Sequence, residues 1–147
     1  LGDPGTLAFI EDALARHDFN PARISFEITE TAAIDNLDQC ERLILTLGAR
    51  GIRFALDDFG KGHSSFGYLK RLPADTLKID GDFVRGIDHD REKLAIVKAM
   101  HTLARELGKL TVAEQVETAA EFACLVEIGV DYAQGYFVHP PEPLPVA

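Results

Sequence analysis

The sequence is short of the features that mark several protein classes. It holds only two cysteines, Cys40 and Cys124, far apart and within helix-like apolar patterns. No disulfide framework and no Cys-x-x-Cys motif can be built from them. Both are expected to be free, buried thiols, since an unpaired cysteine behaves as a small hydrophobe, and the pattern fits a reducing cytoplasm. No apolar run approaches the ~20 residues of a membrane span, and no basic segment leads into an apolar one as in a signal peptide. The five histidines, His17, His63, His89, His101 and His139, show no zinc-like spacing. They read as exposed or helical residues, with only His63 in a loop that could touch a ligand. Positive charge is scarce as well: 15 Lys and Arg stand against 24 Asp and Glu, a net charge of −9. Such a chain repels nucleic acid polymers and anionic membrane surfaces, so neither is an expected partner. If the substrate is a phosphate compound, bound cations must reverse the local sign.

What is present is an ordinary globular composition, 46% hydrophobic and 27% charged over 147 residues. That is one domain or part of one, and it falls below the roughly 250 residues of a complete (β/α)₈ barrel. The chain begins at Leu1 without a methionine, and is expected to be excised from something longer. Apolar residues recur at helical spacing over 4–17 (Leu7, Phe9, Ile10, Ala13, Leu14), 35–50 (Leu37, Cys40, Leu43, Ile44, Leu47) and 88–108 (Leu94, Val97, Met100, Leu103, Ala104, Leu107), with a further helix over 118–128. Gly51 and Gly108 read as helix stops. Strands are expected over 23–28, 52–57, 75–80 and 109–114, with a weaker one within 131–138. The prolines from Pro140 onward cannot continue regular structure. Strands alternating with helices mean a parallel sheet built from βα units.

In each strand a residue able to do chemistry lies at or just past the C-terminal end. These are Glu27 and Glu30, Asp57 and Asp58, Lys78 and Asp80, Glu114 and Glu117, and Gln134. In (β/α) barrels the active site is drawn from that face. A competing structural reading makes some of these acids helix caps, and it applies best to Glu30, Asp80 and Glu117. It suits Glu27, Asp57, Asp58 and Glu114 less well, because four carboxylates at one mouth would repel one another unless cations intervened. Hard divalent ions such as Mg²⁺ or Mn²⁺ suit an all-carboxylate site. The adjacent pair Asp57-Asp58 suggests one acid bridging two ions while the other holds the second. Lys78 sits between Leu77 and Ile79 on an apolar strand, where its charge could meet a phosphate oxygen or an attacking water. The loop Asp58-Phe-Gly-Lys-Gly-His-Ser-Ser65, with Gly60, Gly62, Ser64 and Ser65, permits close backbone approach to a phosphate and reads as a mobile active-site loop.

These residues match a known pattern. Phe26-Glu-Ile-Thr-Glu30, Asp57-Asp-Phe-Gly-Lys-Gly-His-Ser-Ser65, Leu77-Lys-Ile-Asp80, Ala113-Glu-Gln-Val-Glu117 and Gln134-Gly-Tyr136 resemble, in order and spacing, the later motifs of EAL domains. The resemblance implies an α/β fold, a TIM-type barrel of the EAL kind, present over residues 1–147 as strands four to eight with the upstream part absent. It implies hydrolysis of cyclic di-GMP to linear pGpG with two Mg²⁺ or Mn²⁺ ions. Glu27, Asp57, Asp58 and Glu114 then look like metal ligands, with Asp57 bridging and Asp58 and Glu114 on the second metal, directly or through water. Lys78 looks like the residue contacting the attacking water, so Lys78 and Glu114 are the catalytic candidates. Glu30 looks like the anchor of the glycine-rich loop, and Asp80, Glu117 and Gln134 like supporting positions. Lys61, His63 and Gln115 depart locally from the pattern, Gln115 standing where glycine is common.

The Glu-Ala-Leu motif and the Asn on the following strand both belong upstream of Leu1, and both normally supply metal ligands. This chain alone is therefore expected to be inactive or strongly impaired, with an exposed sheet edge, while the parent domain is expected to be active. The expected setting is a cytoplasmic domain, in a parent that other domains can tether to the membrane. A sensor or diguanylate-cyclase (GGDEF) module upstream and a homodimer are among the expected partners. Two alternatives compete with the enzyme: a receptor that binds cyclic di-GMP without cutting it, and a Schiff-base enzyme using Lys78 as nucleophile, which the four acids fit badly.

Overall fold

The computed structural model describes residues 5–17, 20–61 and 66–143. The chain divides into two compact units, Leu1–Leu77 and Lys78–Ala147. Gly62, His63, Ser64 and Ser65, together with Pro4 and Pro145, lie outside the described residues.

The first unit opens with helix α1 (Gly5–Arg16), followed by strand β1 (Ser25–Thr29), helix α2 (Glu30–Asp35), helix α3 (Leu37–Gly48) and strand β2 (Arg53–Phe59). β1 and β2 run parallel, with Glu27 opposite Ala55 and Thr29 opposite Asp57. Phe54, Ala55 and Leu56 are all buried, as expected of a parallel strand covered on both faces. The helix expected over 35–50 is α3, which begins two residues later; the short α2, capped by the Thr29 hydroxyl, precedes it, and the chain breaks between them at Asn36. Cys40, Leu43, Ile44 and Leu47 form the buried stripe of α3. None of the α1 residues is buried, and Phe9 is 71% exposed. The helical spacing there predicted the helix correctly but not a covered face.

Strand β3 (Thr76–Ile79) carries the chain from the first unit into the second. Its approach is fixed by Asp75, whose N–H donates to the Phe54 carbonyl while its carboxylate accepts the Phe54 N–H, both at 2.8 Å. Helix α4 (Gly81–Val84), helix α5 (Arg91–Glu106), strand β4 (Leu110–Ala113), helix α6 (Ala119–Ile128) and the two-residue strand β5 (Tyr132–Ala133) follow. In the first unit β1 neighbours β2, and in the second β4 pairs with β5 in parallel.

Local chemistry sets the helix limits in the second unit. Asp90 caps α5 by accepting from Glu92 and Lys93 N–H, so the helix starts three residues later than its apolar spacing suggests. Val97, Met100 and Ala104 are buried on α5, whereas Leu94 is exposed. Thr118 and Glu121 form a capping box on α6. Asp131 repeats the device of Asp75, accepting the Thr111 N–H at 2.8 Å and the Thr111 hydroxyl at 2.9 Å. Cys40 is buried, but Cys124 is only half-buried, so the expectation of two buried thiols holds for one. Burial raises both thiol pKa values; for Cys124 the carboxylates of Glu127 and Asp88 add to the effect. No helix among the described residues is long and apolar enough to cross a membrane.

Candidate functional site

In the first unit the parallel register decides which acids share a face. Glu27 stands opposite Ala55, and Asp57 lies two residues beyond Ala55. Side chains on a strand alternate, so Glu27 and Asp57 point to the same side. Glu27 is solvent-exposed and Asp57 half-buried, with Asp57 Oδ1 shielded from solvent. Asp58 then adopts φ +55° inside β2. A left-handed residue is uncommon for a non-glycine, although aspartate tolerates it better than most. It breaks the strand alternation directly after Asp57. The Asp58 carboxylate meets Lys61 Nζ at 3.6 Å, an exposed pair of small energetic weight.

Glu30, in the first turn of α2 and 2% exposed, accepts the Gly60 N–H at 3.0 Å and the Tyr68 hydroxyl at 2.5 Å. One buried carboxylate thus grips the chain on both sides of residues 61–67. Burial pushes the Tyr68 phenol pKa up and the Glu30 carboxylate pushes it further, so the hydroxyl stays protonated as the donor. Gly60 has φ +104°, a conformation glycine adopts without strain.

In the second unit Lys78 is buried, with Leu77 and Ile79 fully covered on either side. Its ammonium lies 2.8 Å from Glu114 Oε1. A lysine on a strand buried on both faces is tolerated when its charge is compensated, and Glu114 at the end of β4 contributes that compensation. The Glu114 N–H donates to the Ile79 carbonyl at 3.1 Å, which joins the ends of β3 and β4. Asp80 is the N-cap of α4 and accepts the Asp82 N–H at 2.8 Å, so the helix-cap reading applies to it. Glu117 is exposed, and its own N–H donates to Glu121 at 2.9 Å. Gln134 is exposed; its backbone is pinned between the Ala113 carbonyl and the Val116 N–H. Glu114, Gln115, Glu117, Gln134, Tyr136 and His139 line a cavity of about 330 Å³.

Two contributors were missed by sequence reasoning. Glu121 accepts backbone N–H groups from Gly86, Glu117 and Thr118. Burial alone would raise its carboxyl pKa, but those hydrogen bonds outweigh it and hold the value below the ordinary one. The Thr-x-x-Glu spacing of Thr118 and Glu121 was the available signal. Tyr68 gave none, because its partner Glu30 is distant in sequence.

Hard carboxylate oxygens are the right donors for Mg²⁺ or Mn²⁺. Among the described residues, however, no group of three or more His, Cys, Asp or Glu side chains gathers as a metal-binding cluster. The donor chemistry fits such ions, while a full ligand set is not assembled from these side chains.

The model of the EAL domain matches residues 1–141. The chain belongs to the EAL domain family. The EAL chain is 42% identical to the cyclic di-GMP phosphodiesterase PdeB of Shewanella oneidensis, over 98% of its own length and 17% of that relative. Among solved structures, PaMucR phosphodiesterase in complex with c-di-GMP superposes with a TM-score of 0.90 at 38% identity, covering 97% of this chain and 58% of that one. A manganese and cyclic di-GMP complex of Klebsiella pneumoniae BlrP1 gives a TM-score of 0.81 at 34% identity, over 91% and 34% of the two chains. The chain therefore spans under a fifth of the length of PdeB, and its fold is that of part of an EAL barrel.

Proposed function

We propose that this chain is part of an EAL domain that hydrolyses cyclic di-GMP to linear pGpG. The observation that supports this most directly is that every strand-end position of the EAL motifs within the sequence holds the required acid, lysine or glutamine: Glu27, Asp57, Asp58, Lys78, Glu114 and Gln134. In this reading Glu27, Asp57, Asp58 and Glu114 would hold Mg²⁺ or Mn²⁺ ions in the complete domain, together with an upstream Glu and Asn. Bound there, such ions would lower the pKa of a water and neutralise phosphate charge.

The remaining chemistry falls to the chain's own groups. Lys78, held by Glu114 at 2.8 Å, orients the attacking water through its ammonium protons. The water gives up one proton as its oxygen bonds to phosphorus, the bond from phosphorus to the 3′ oxygen breaks, and that oxygen leaves as a hydroxyl by taking up one proton, so no net proton is consumed. Glu30 anchors the loop that contains Gly60, Gly62, Ser64 and Ser65, while Asp80, Glu117 and Gln134 support the reacting groups. A sensor or diguanylate-cyclase module, a homodimeric assembly and a cytoplasmic setting belong to the same proposal.

The test is product analysis on the full-length protein with cyclic di-GMP, in Mg²⁺ or Mn²⁺ and then in EDTA. Linear pGpG formed only with the cation is the expected result. Binding without cleavage by the folded, metal-loaded protein would overturn the enzyme and leave the receptor. The 147-residue chain on its own is expected to show little or no turnover.

A further inference from the structure

Gln115 follows Glu114 directly and has φ +53°, the left-handed region where glycine is unstrained and other residues are not. Its side chain nonetheless makes a specific fit. Gly81 is buried at the start of α4 and is not among the glycines with positive φ, so its backbone does not require glycine. Space does. A Cβ at Gly81 would lie 2.5 Å from both Cδ and Oε1 of Gln115 and 2.7 Å from its Cβ, closer than any real contact. The glutamine side chain therefore lies flat across the Gly81 backbone.

Gly81 comes three residues after Lys78, and Gln115 one residue after Glu114. The neighbours of Gln115 are themselves fixed, since Glu114 N–H donates to Ile79 and Val116 N–H donates to Gln134. With both sides tied, the left-handed residue cannot relax without moving Glu114 or lifting off Gly81. We propose that Gln115 is a positioning residue: seated on Gly81, it straps the end of β4 to the β3–α4 turn and so fixes Glu114 against Lys78. The proposal rests on the reading of Lys78 and Glu114 as the working pair, and it assigns a use to a strained residue that the motif pattern marks only as a departure.

The test compares wild type, Gly81→Ala, Gln115→Gly and the double variant in the full-length protein. Gly81→Ala alone is expected to lower the melting temperature by several degrees, because the Gln115 Cβ, 2.7 Å from the added methyl, sits on a backbone tied at both sides and cannot yield cheaply. In the Gln115→Gly background the same alanine is expected to cost almost nothing, as the space is vacated. An equal cost in both backgrounds overturns the seat. A second readout concerns positioning and needs no turnover. Amide hydrogen exchange at Glu114 and Val116 in metal-free protein is expected to speed up at least about threefold in Gln115→Gly, since the end of β4 is no longer strapped to the turn. An unchanged rate overturns the strap. In turnover, Gln115→Gly is expected to lower kcat about tenfold with KM held. A wild-type protein that does not cleave cyclic di-GMP would sink the phosphodiesterase reading, while the melting and amide-exchange results still decide the role of Gln115.

Discussion

Asp57-Asp58 in the first unit and Glu114-Gln115 in the second are built alike. Each begins with an acid at the end of a buried strand, followed by a non-glycine residue at positive φ, +55° and +53°. Each is followed by a segment gripped by a buried glutamate: Glu30 on Gly60 and Tyr68, and Glu121 on Glu117 and Thr118. The difference lies in charge and grip. The left-handed residue is a carboxylate in the first unit, beside the exposed Lys61, and a neutral amide in the second, where the cation is the buried Lys78 on the preceding acid. Two adjacent carboxylates suit a pair of ions; one carboxylate on a buried ammonium suits the ordering of water and proton. The same backbone device thus presents two kinds of chemistry, and strain sits where an acid has to be aimed.

The comparison breaks most visibly at Asp57. If Asp57 is the shared metal ligand, Asp57→Asn in the full-length protein should cut phosphodiesterase activity at least about 10⁴-fold, ~5 kcal/mol of barrier, with the fold retained by circular dichroism. A loss below tenfold would remove Asp57 from the bridging role. Lys78→Ala should cost less, about 10²–10³-fold, because it removes one oriented donor rather than the ions. Its signature is a drop in kcat with the metal requirement unchanged. A shift in metal dependence instead would mean that Lys78 acts by holding Glu114 for an ion rather than by orienting the water.

Asp58 sharpens the comparison by separating strain from charge. Asp58→Asn keeps a side chain that tolerates positive φ and should weaken metal binding about 10–100-fold, read by titrating activity with Mn²⁺. Asp58→Gly should lose the same affinity yet gain up to about 1 kcal/mol of stability, since glycine relieves the left-handed backbone. Stability and activity should therefore move in opposite directions. If Asp58→Gly destabilises, the carboxylate holds the loop rather than an ion.

The strand ends were legible in the sequence because a buried parallel strand is an apolar run, and its terminating acid or lysine stands out against that run. Lys78 between Leu77 and Ile79 is the clearest instance. The backbone of those ends was less legible: the glycine common at position 115 hints at a positive φ, but neither the Asp58 nor the Gln115 side chain imposes one, because the neighbours that do are fixed by other strands. Helix α4 escaped notice because its four residues carry no period; the Asp80 cap is its only local mark. The apolar stripe of α1 shows the converse, since periodicity reports a face and cannot say what covers it.

The two gripping glutamates carry the smallest and most informative difference. Glu121 accepts three backbone N–H groups, whereas Glu30 accepts one N–H and one phenol. An N–H left unsatisfied on burial costs about 1–3 kcal/mol, so Glu121→Gln should destabilise more at neutral pH than Glu30→Gln, read by urea unfolding. The pH dependence gives the sign. Because the folded-state pKa of Glu121 is lowered, its stabilisation is fully present above the unfolded carboxyl value and is lost as pH falls through the folded one. Wild type and Glu121→Gln should therefore converge in acid, and a gap that persists there would mean that shape rather than charge makes the grip. A larger loss in Glu30→Gln than in Glu121→Gln would reverse the order of the two grips.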